Sequence, residues 1–220
     1  MSSPLVNETK RKFLPAAGHD LFLPLYDPVV SLLGGHRTRK ELIRQANIKP
    51  DQQVLDLGCG TGTLMVLLKR QYPSVQVVGI DPDANALRRA KVKARRAAVS
   101  VQFDQGFADQ LPYQDASFER VVSSFMFHHL EDGDREKVLK EVLRVLKPGG
   151  WFHLLDFTPH ESDGFWDRLV NSHARLKDNS TPRILQLMQH AGFTKQAKVK
   201  DARMFLGLLQ IAYFQGERNT

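Results

Sequence analysis

The sequence predicts an α/β protein in which helices cover both faces of a parallel sheet. From about residue 50 onward, short β-rich segments alternate with helical segments, and this alternation is typical of parallel sheets. A glycine-rich turn follows the first β-rich segment directly, at the place where such sheets bind ligands. The chain of 220 residues, with 42% hydrophobic and 25% charged residues, has the size of one such domain.

Each element is predicted from a local signal. Branched and aromatic residues mark strands, whereas apolar residues at helical spacing mark helices. The predicted strands are 53–57, 75–80, 99–103, 118–123 and 151–157. The first two predicted helices are 63–72 and a basic helix at 88–96. The third ends at 147–150 and has five apolar residues on one face, Val138, Leu139, Val142, Leu143 and Leu146. The fourth runs from Thr181 and Pro182 to Gly192. Two extended segments, 195–202 and 205–214, are expected to pair as an antiparallel hairpin at the sheet edge.

The segment before residue 50 has a different pattern. Apolar residues are frequent between 21 and 33, while Pro24 and Pro28 interrupt any single helix. We expect residues 1–49 to form a helical cap or lid on a ligand-binding domain at 50–220. The cap covers the core, closes over a ligand, or does both.

Composition excludes several classes of protein. No apolar run approaches the roughly 20 residues that cross a bilayer, and residues 1–12 lack the apolar stretch of a signal peptide. We therefore expect a cytoplasmic protein without a transmembrane segment. The single cysteine, Cys59, leaves no internal disulfide and no multi-thiolate metal centre, so no bound metal is expected.

The formal net charge of +7 is concentrated in one helix. Six basic residues lie between 88 and 96, and removing those six charges from +7 leaves +1 for the rest of the chain. They are Arg88, Arg89, Lys91, Lys93, Arg95 and Arg96. Leu87, Ala90 and Ala94 recur there at helical spacing, which indicates an amphipathic helix with a basic outer face. A solvated face is the simpler interpretation, and a surface that binds RNA or an acidic membrane is the alternative.

The strongest chemical signal is the sequence VLDLGCGTG, which runs from Val54 to Gly62. Its glycines let a ligand approach the main chain closely. Asp56 would repel a pyrophosphate but can accept a hydrogen bond from an ammonium group. Asp81 ends the second strand about 20 residues after the glycines, where a carboxylate can bind ribose hydroxyls. Thr63 occupies the last glycine or alanine position of the dinucleotide fingerprint. The pattern therefore disfavours NAD and predicts adenosine joined to an amino acid.

On these residues the sequence resembles the class I S-adenosylmethionine-dependent methyltransferases. Within them it is similar to the type (methyltransferase type 11) that includes the ubiquinone and menaquinone C-methyltransferases. The resemblance covers about residues 50 to 195. It rests on DLGCGTG at 56–62, GIDP at 79–82, LPY at 111–113 with SF at 117–118, LKPGG at 146–150, and AGF at 191–193. These motifs are specific for the cofactor and carry little information about the acceptor.

The resemblance implies a Rossmann-like sheet of seven strands in the order 3-2-1-4-5-7-6, with strand 7 antiparallel and helices on both faces. It implies S-adenosyl-L-methionine as the cofactor and Asp81 as the residue that takes the ribose hydroxyls. The methionine portion is expected at Asp56, Gly58, Cys59 and Gly60.

The resemblance also implies where the adenine and the reacting groups lie. Pro82 is expected to line the adenine site. The family usually has an acid at the position of Phe107, so main-chain groups of Phe107 and Ala108 are expected to face the base, with Asp109 as a substitute. Beyond the fourth strand, Ser124 and Phe125 are expected beside the cofactor.

Candidate catalytic residues follow the fourth strand. His128 and His129 could take a proton from the methyl acceptor, since imidazole titrates near neutral pH. Alternatively, one histidine orients the loop and the other packs in the core. Tyr26 in the cap is a further candidate, because the family's amino-terminal segment often closes over the cofactor. The acceptor is expected to be an apolar or aromatic small molecule, from the residues around its expected pocket. They are Phe22, Tyr26, Phe125, Met126, Phe127, Phe157, Phe165 and Trp166.

Two other functional classes stay open at this point. The first is an RNA- or membrane-surface-binding protein that uses the basic helix 88–96, although nucleic acid is the less expected partner. The second is an NAD-dependent oxidoreductase, which Asp56 and Thr63 disfavour. The sequence makes no prediction about the oligomeric state.

Overall fold

The computed structural model describes residues 35–159 and 179–220. Most of the expected cap, including Tyr26 and Phe22, lies outside these residues, as do Phe165 and Trp166. The cap itself therefore stays a prediction. Among the described residues, no helix has both the length and the apolar character that crossing a membrane requires.

Within the described residues, seven strands form one sheet in the order β3-β2-β1-β4-β5-β7-β6. β7 runs antiparallel to both of its neighbours, and the other pairings are parallel. The strands are β1 (Gln53–Leu57), β2 (Gln76–Asp81), β3 (Gln102–Gln105), β4 (Phe118–Ser124), β5 (Leu146–Phe157), β6 (Thr194–Met204) and β7 (Leu209–Glu217). The predicted fold class and strand order are confirmed.

Helices lie on both faces of this sheet, as predicted. The described helices are α1 (His36–Gln45), α2 (Thr63–Gln71), α3 (Ala84–Arg96), α4 (Asp132–Val145) and α5 (Thr181–Ala191). One apolar core joins α4 and α5 to residues such as Leu55 and Phe152 of the sheet. The other joins α1 and α2 to residues such as Val54 and Leu155, which point to the opposite face of the same strands.

The structure moves the starts of three predicted strands by three residues or more. β3 begins at Gln102 instead of residue 99, because the N–H of Val99 donates to the carbonyl of Ala94 and closes the end of α3. β5 begins at Leu146 instead of residue 151, since Leu146 already pairs with Phe118 across an irregular stretch of the ladder. β7 begins at Leu209 instead of residue 205, because a short 3-10 turn occupies Phe205–Gly207.

Helix α1 comes from the end of the expected cap segment and packs on the sheet. Its residues Leu42 and Ile43 are buried in the same core as Val54 of β1. The hydroxyl of Tyr213 in β7 also donates a hydrogen bond of 3.1 Å to the carbonyl of Thr38. These contacts hold α1 above the ends of the central strands, where the predicted site lies.

Candidate active site

A cavity of about 650 Å³ opens at the carboxyl ends of the first four strands. This volume lies within the range of small-molecule and cofactor sites. Nine of the ten predicted cofactor residues line the cavity, and Asp56 is the exception. The lining residues are Arg39, Gly58, Cys59, Gly60, Thr61, Thr63, Leu64, Ile80, Asp81, Pro82, Asp83, Gly106, Phe107, Ala108, Asp109, Ser124, Phe125, Met126, His129, Leu130, Glu131, Asp134 and Val138.

Asp56 is a buried carboxylate two residues before Gly58, which lines this cavity. Its side chain is only 1% exposed, and neither of its oxygens has a hydrogen-bond partner among the described residues. Burial raises the pKa of Asp56 to about 7; the nearby Arg39 opposes this rise and Asp81 adds to it. An unpartnered buried carboxylate is costly to the fold, so this group fits the ammonium of a bound amino acid.

Asp81 connects the glycine turn to the end of β2. Its Oδ2 accepts a 2.8 Å hydrogen bond from the N–H of Gly60, and its Oδ1 accepts a 2.9 Å bond from the N–H of Asp83. Burial raises the pKa of Asp81, and these two N–H donors oppose the rise. Each carboxylate oxygen can accept more than one hydrogen bond. The side chain can therefore still receive ribose hydroxyls at the cavity wall.

The glycine turn leaves its main chain open to the cavity. Gly60 has a φ of +51°, and a Cβ built on it would meet no other atom within 4 Å. The N–H groups of Gly58 and Cys59 both donate to the carbonyl of Ile80, at 2.9 and 3.0 Å, which fixes the turn against β2. The turn therefore offers a close approach to a ligand without a side chain in the way.

The residues after β3 form the wall that the sequence predicts for adenine. Phe107, Ala108 and Asp109 all line the cavity together with Pro82. The N–H of Gly106 donates to the carbonyl of Asp81 at 3.2 Å, which places this segment next to the end of β2. The geometry thus brings together residues that the sequence assigned to one subsite.

The segment after β4 contains a strained residue at the cavity. Phe125 has a φ of +59°, a conformation that bulky side chains rarely adopt. Its N–H donates to the carbonyl of Leu155 at 2.9 Å, and its ring lies 4.8 Å from the ring of Phe157. These contacts stabilise the conformation and place Ser124, Phe125 and Met126 along one wall.

The two adjacent histidines have different surroundings. His129 lines the cavity, whereas His128 is not among its lining residues. The Nδ1 of His128 lies 2.6 Å from Oδ1 of Asp156, and the N–H of His128 donates to Oδ2 of Asp156 at 2.9 Å. The rings of the two histidines are 4.0 Å apart. Asp156 therefore holds His128, and His128 packs on the residue that faces the cavity.

The expected acceptor residues separate into two groups. Phe125 and Met126 line the cavity, while Phe157 packs on Phe125 and on His128. Phe127 is fully buried in the core that contains α4. Of the described candidates, Phe127 thus belongs to the core and not to the pocket.

Arg39 is a site residue that sequence reasoning missed. It belongs to α1, is 7% exposed and lines the cavity, and its guanidinium lies 5.1 Å from the centre of the Phe125 ring. Asp156 was missed as well, although an acid near the end of an apolar strand was a usable signal. For Arg39 no such signal existed, because its burial depends on how α1 packs.

One residue of the basic helix reaches the glycine turn. The Nζ of Lys93 lies 3.0 Å from Oγ1 of Thr61 and 2.6 Å from Oγ1 of Thr63. Among the other basic residues, Arg95 and Arg96 are exposed at the end of α3. RNA or membrane-surface binding by this helix stays an alternative that the sequence alone suggests.

A family model described as a methyltransferase domain matches residues 54–150. The chain is 37% identical over 147 residues to a demethylmenaquinone methyltransferase of Lactobacillus johnsonii, covering 63% of this chain and 59% of the relative. Four relatives named as demethylmenaquinone or ubiquinone/menaquinone biosynthesis methyltransferases are matched over 53–65% of their length. The chain thus spans less than two thirds of each of them.

Solved structures show the same fold. The YcgJ protein from Bacillus subtilis matches with a TM-score of 0.68 at 22% identity, covering 84% of this chain and 99% of that protein. A phosphoethanolamine N-methyltransferase of Haemonchus contortus in complex with S-adenosyl-L-methionine matches with a TM-score of 0.73 at 18% identity, covering 92% of this chain and 58% of that protein.

One relative is similar over most of its length. An uncharacterized methyltransferase of Synechocystis is 32% identical over 168 residues, which cover 74% of this chain and 76% of the relative. This similarity confirms the predicted family, and the match to the methyltransferase domain supports the predicted cofactor. The chain belongs to the S-adenosylmethionine-dependent methyltransferases.

Proposed function

We propose that the cavity binds S-adenosylmethionine and that the chain transfers its methyl group to a small molecule with an aromatic ring. The observation that carries the proposal is the buried, unpartnered carboxylate of Asp56 beside the cavity. A dinucleotide would bring a pyrophosphate against this carboxylate, whereas an amino acid brings an ammonium group. The second acid, Asp81, lies across the glycine turn at the distance of one hydrogen bond from Gly60.

Three strand ends supply the binding residues. Asp56 and the main chain of residues 58–60 would hold the methionine portion, and Asp81 would accept the ribose hydroxyls. Pro82 and residues 107–108 would enclose the adenine. Apart from Asp56, which is buried and is not a lining residue, these residues line the cavity.

The chemistry makes modest demands on the protein. When bound, the cofactor supplies a methyl group on a positively charged sulfur, which is already an activated leaving group. The protein has to hold the acceptor in line with that methyl group and to exclude water. The apolar side chains of Met126, Leu130 and Val138 line the cavity and suit both tasks.

His129 is our candidate for the group that accepts a proton from the acceptor, because it lines the cavity. We assign His128 a positioning role. Its contact with Asp156 favours the tautomer with the proton on Nδ1 and fixes the ring against His129. Tyr26 stays a candidate that only the sequence supports.

The acceptor class is inferred from the relatives and from the cavity. Relatives named demethylmenaquinone methyltransferase and 2-phytyl-1,4-beta-naphthoquinone methyltransferase carry quinones in their names. A reduced quinone or a phenol also has an acidic hydroxyl, which gives a proton acceptor such as His129 a task. We therefore propose a phenol-like or quinol-like acceptor.

A screen with methyl-labelled S-adenosylmethionine tests this proposal. Purified protein is offered quinols, phenols, amines and thiols separately, and we expect quinols or phenols to take up the label. Uptake by amines or thiols alone would contradict the proposed acceptor class but would still support methyl transfer as the reaction. Absence of uptake together with absence of cofactor binding would contradict the proposed function as a whole.

The roles of the histidines are tested with the acceptor that the screen identifies. In single-turnover experiments, His129→Ala is expected to slow transfer by about 100-fold or more, the usual contribution of general base catalysis. His128→Ala is expected to slow it less. Unchanged rates for both variants would remove the base hypothesis and leave cofactor binding untouched.

A further inference from the structure

An apolar turn joins β6 to β7 at the cavity end of the sheet. Residues 204–209, here called the hairpin tip, have the sequence MFLGLL. Ile211 of β7 lies opposite Phe157 of β5, because these two strands pair antiparallel. The N–H of Thr158, the next residue, donates to the carbonyl of Gln210 at 3.0 Å. The hairpin tip therefore lies beyond the carboxyl end of β5, at the end of the sheet where the cavity opens.

Most of the hairpin tip is anchored in the core, but one side chain is not. Met204 is 4% exposed, and Phe205 and Leu209 pack against the core that contains α1. Leu208 is 59% exposed, more than any other large apolar side chain in the described part of the chain. Its φ of −74° suits any residue, so the backbone does not require leucine there. A turn that only reverses the chain could carry a polar residue at this position.

Cations flank the hairpin tip on β6 and on α1. Arg203 directly precedes the tip and is exposed. Arg37 and Lys40 are exposed on α1. Helix α1 lies against the hairpin, because the hydroxyl of Tyr213 in β7 donates to the carbonyl of Thr38 at 3.1 Å. Within residues 35–159 and 179–220, none of the three cations belongs to an ion pair.

The acids of α1 and β6 already bind other cations. Glu41, the only acid of α1, lies 2.8 Å from Arg44 and 3.0 Å from Lys200. Asp201, the only acid of β6, lies 2.8 Å from Lys198. The three unpaired cations therefore give this edge of the molecule an excess of positive charge.

Positive charge beside an exposed apolar side chain fits one class of surface best. An anionic bilayer presents negative headgroups above an apolar interior, so cations and a leucine both gain free energy on contact. The backbone of a nucleic acid attracts the same cations, but it offers no apolar environment to Leu208. The combination therefore favours the bilayer.

We propose that the hairpin tip docks on an anionic membrane surface, with Leu208 among the headgroups and with Arg203 and Arg37 bound to their negative charges. The contact is weak and reversible, because one leucine and a few cations carry it. This inference goes beyond the proposed function and does not depend on it. Docking would bring the cavity end of the sheet close to apolar compounds that are dissolved in the membrane.

A solvated surface is the competing explanation. Single exposed apolar side chains and unpaired surface cations are both common on proteins that bind no membrane. On that explanation, neither Leu208 nor Arg203 contributes to vesicle binding.

Sedimentation with vesicles separates the two explanations. Purified protein is mixed with vesicles of phosphatidylcholine alone, or of phosphatidylcholine and phosphatidylglycerol in equal amounts. We expect the wild type to sediment with the anionic vesicles only, and less so as the salt concentration rises. Arg203→Gln should weaken this binding about fivefold, which corresponds to about 1 kcal/mol for one cation near an anionic surface. Leu208→Asn should weaken it at least as much.

Two control variants lie on the same hairpin. Val199→Asn removes an apolar side chain that is 43% exposed but lies five residues before the tip. Lys195→Gln removes an exposed cation at the other end of β6. Both controls should sediment like the wild type. All four side chains are exposed, so each variant is expected to fold, and thermal unfolding checks this.

Three results would overturn the inference. The first is absence of wild-type sedimentation with anionic vesicles, or equal losses in the tip variants and their controls. The second is a loss in Arg89→Gln or Arg95→Gln of α3 without a loss in the tip variants, which would move the contact to the basic helix. The third is binding of polyuridylate that Arg203→Gln weakens, without vesicle binding, which would assign the cations to nucleic acid. Cofactor binding is measured separately with S-adenosylhomocysteine, so the proposed function stands or falls independently of these results.

Discussion

Asp156 accepts three hydrogen bonds, two of them from His128, and thereby fixes both the main chain and the ring of that histidine. The imidazole Nδ1 lies 2.6 Å from Oδ1, the His128 N–H lies 2.9 Å from Oδ2, and the third bond comes from the N–H of Phe157 at 2.7 Å. The side chain of Asp156 is fully buried. One acid of β5 therefore sets the path of the loop that brings His129 to the cavity.

Replacement of this acid is expected to reduce stability. Asp156→Asn keeps the shape but turns one of the two accepting oxygens into a donor, which leaves a buried N–H without a partner. We expect the free energy of unfolding to fall by about 1–3 kcal/mol, measured by urea denaturation. Asp201→Asn is the control, because the ion pair of Asp201 with Lys198 is partly exposed, and such pairs contribute about 0–1 kcal/mol. Equal small losses in both variants would contradict the assigned role.

The titration of Asp56 makes cofactor affinity depend on pH. Burial raises its pKa from 3.8 to about 7, so the carboxyl is largely protonated at pH 6 and ionised at pH 8. The ammonium of the ligand requires the ionised form. S-Adenosylhomocysteine is therefore expected to bind about tenfold more tightly at pH 8 than at pH 6, because the competent fraction rises by that factor. A flat profile would contradict the pairing.

Asp56→Asn serves as the control for this titration. This variant should bind S-adenosylhomocysteine weakly at every pH and keep only the smaller pH dependence caused by Asp81, whose pKa is also raised by burial.

The titration of Asp56 affects the stability of the ligand-free protein in the opposite direction. Between about pH 4 and 7 the folded protein holds a proton that the unfolded chain has released, so the Asp56 contribution to stability falls as the pH rises. Without ligand, the variant is therefore expected to be more stable than the wild type at pH 8.

Much of the site was predictable because its signals are local. Asp56 lies one residue before the end of β1 and two before Gly58, and Asp81 ends β2 directly before Pro82. The topology of a parallel sheet brings such strand ends together. Arg39 was not predictable, since its place depends on a contact with Ser124, 85 residues away in sequence. The pairing of Asp156 with His128 likewise joins positions 28 residues apart.

The fold likewise contains features that the sequence predicted and features that it did not. Strand order followed from the resemblance of the motifs, whereas several element ends did not follow from periodicity. Val99 is a branched residue with a strand preference, but its N–H completes the end of α3. Phe205 is aromatic and yet begins a 3-10 turn. In both cases a local hydrogen bond outweighs side-chain propensity.

Two glycines of the turn are expected to respond differently to alanine. Both have positive φ, which costs a non-glycine residue about 1–2 kcal/mol. At Gly58 the added Cβ would also lie 2.8 Å from Cβ of Met126, whereas at Gly60 it would meet nothing within 4 Å. Gly58→Ala should therefore lose more stability, and Gly60→Ala should mainly lose affinity for S-adenosylhomocysteine by projecting into the cavity.

Gly207→Ala is the matched control for Gly60, because Gly207 also has positive φ and open space around it but is not a lining residue. Thermal unfolding and calorimetry of the three variants separate the effects. Retention of wild-type affinity by Gly60→Ala would contradict a ligand approach to the main chain at this turn.

Lys93 is expected to preorganise the same turn. Lys93→Met removes the bonds to the hydroxyls of Thr61 and Thr63, and a net loss of about 1 kcal/mol in binding corresponds to about fivefold weaker S-adenosylhomocysteine. Lys91→Met, an exposed residue of α3, should have no effect. Equal affinity of the two variants would show that Lys93 belongs to the solvated face alone.

Calorimetric titration of the purified protein with S-adenosylhomocysteine and, separately, with NAD is the most direct test of whether Asp56 and Asp81 bind an adenosyl amino acid. We expect saturable binding of S-adenosylhomocysteine to one site, weakened strongly by Asp56→Asn and by Asp81→Asn, and no binding of NAD. Binding of NAD, or binding of S-adenosylhomocysteine that neither substitution changes, would contradict this expectation.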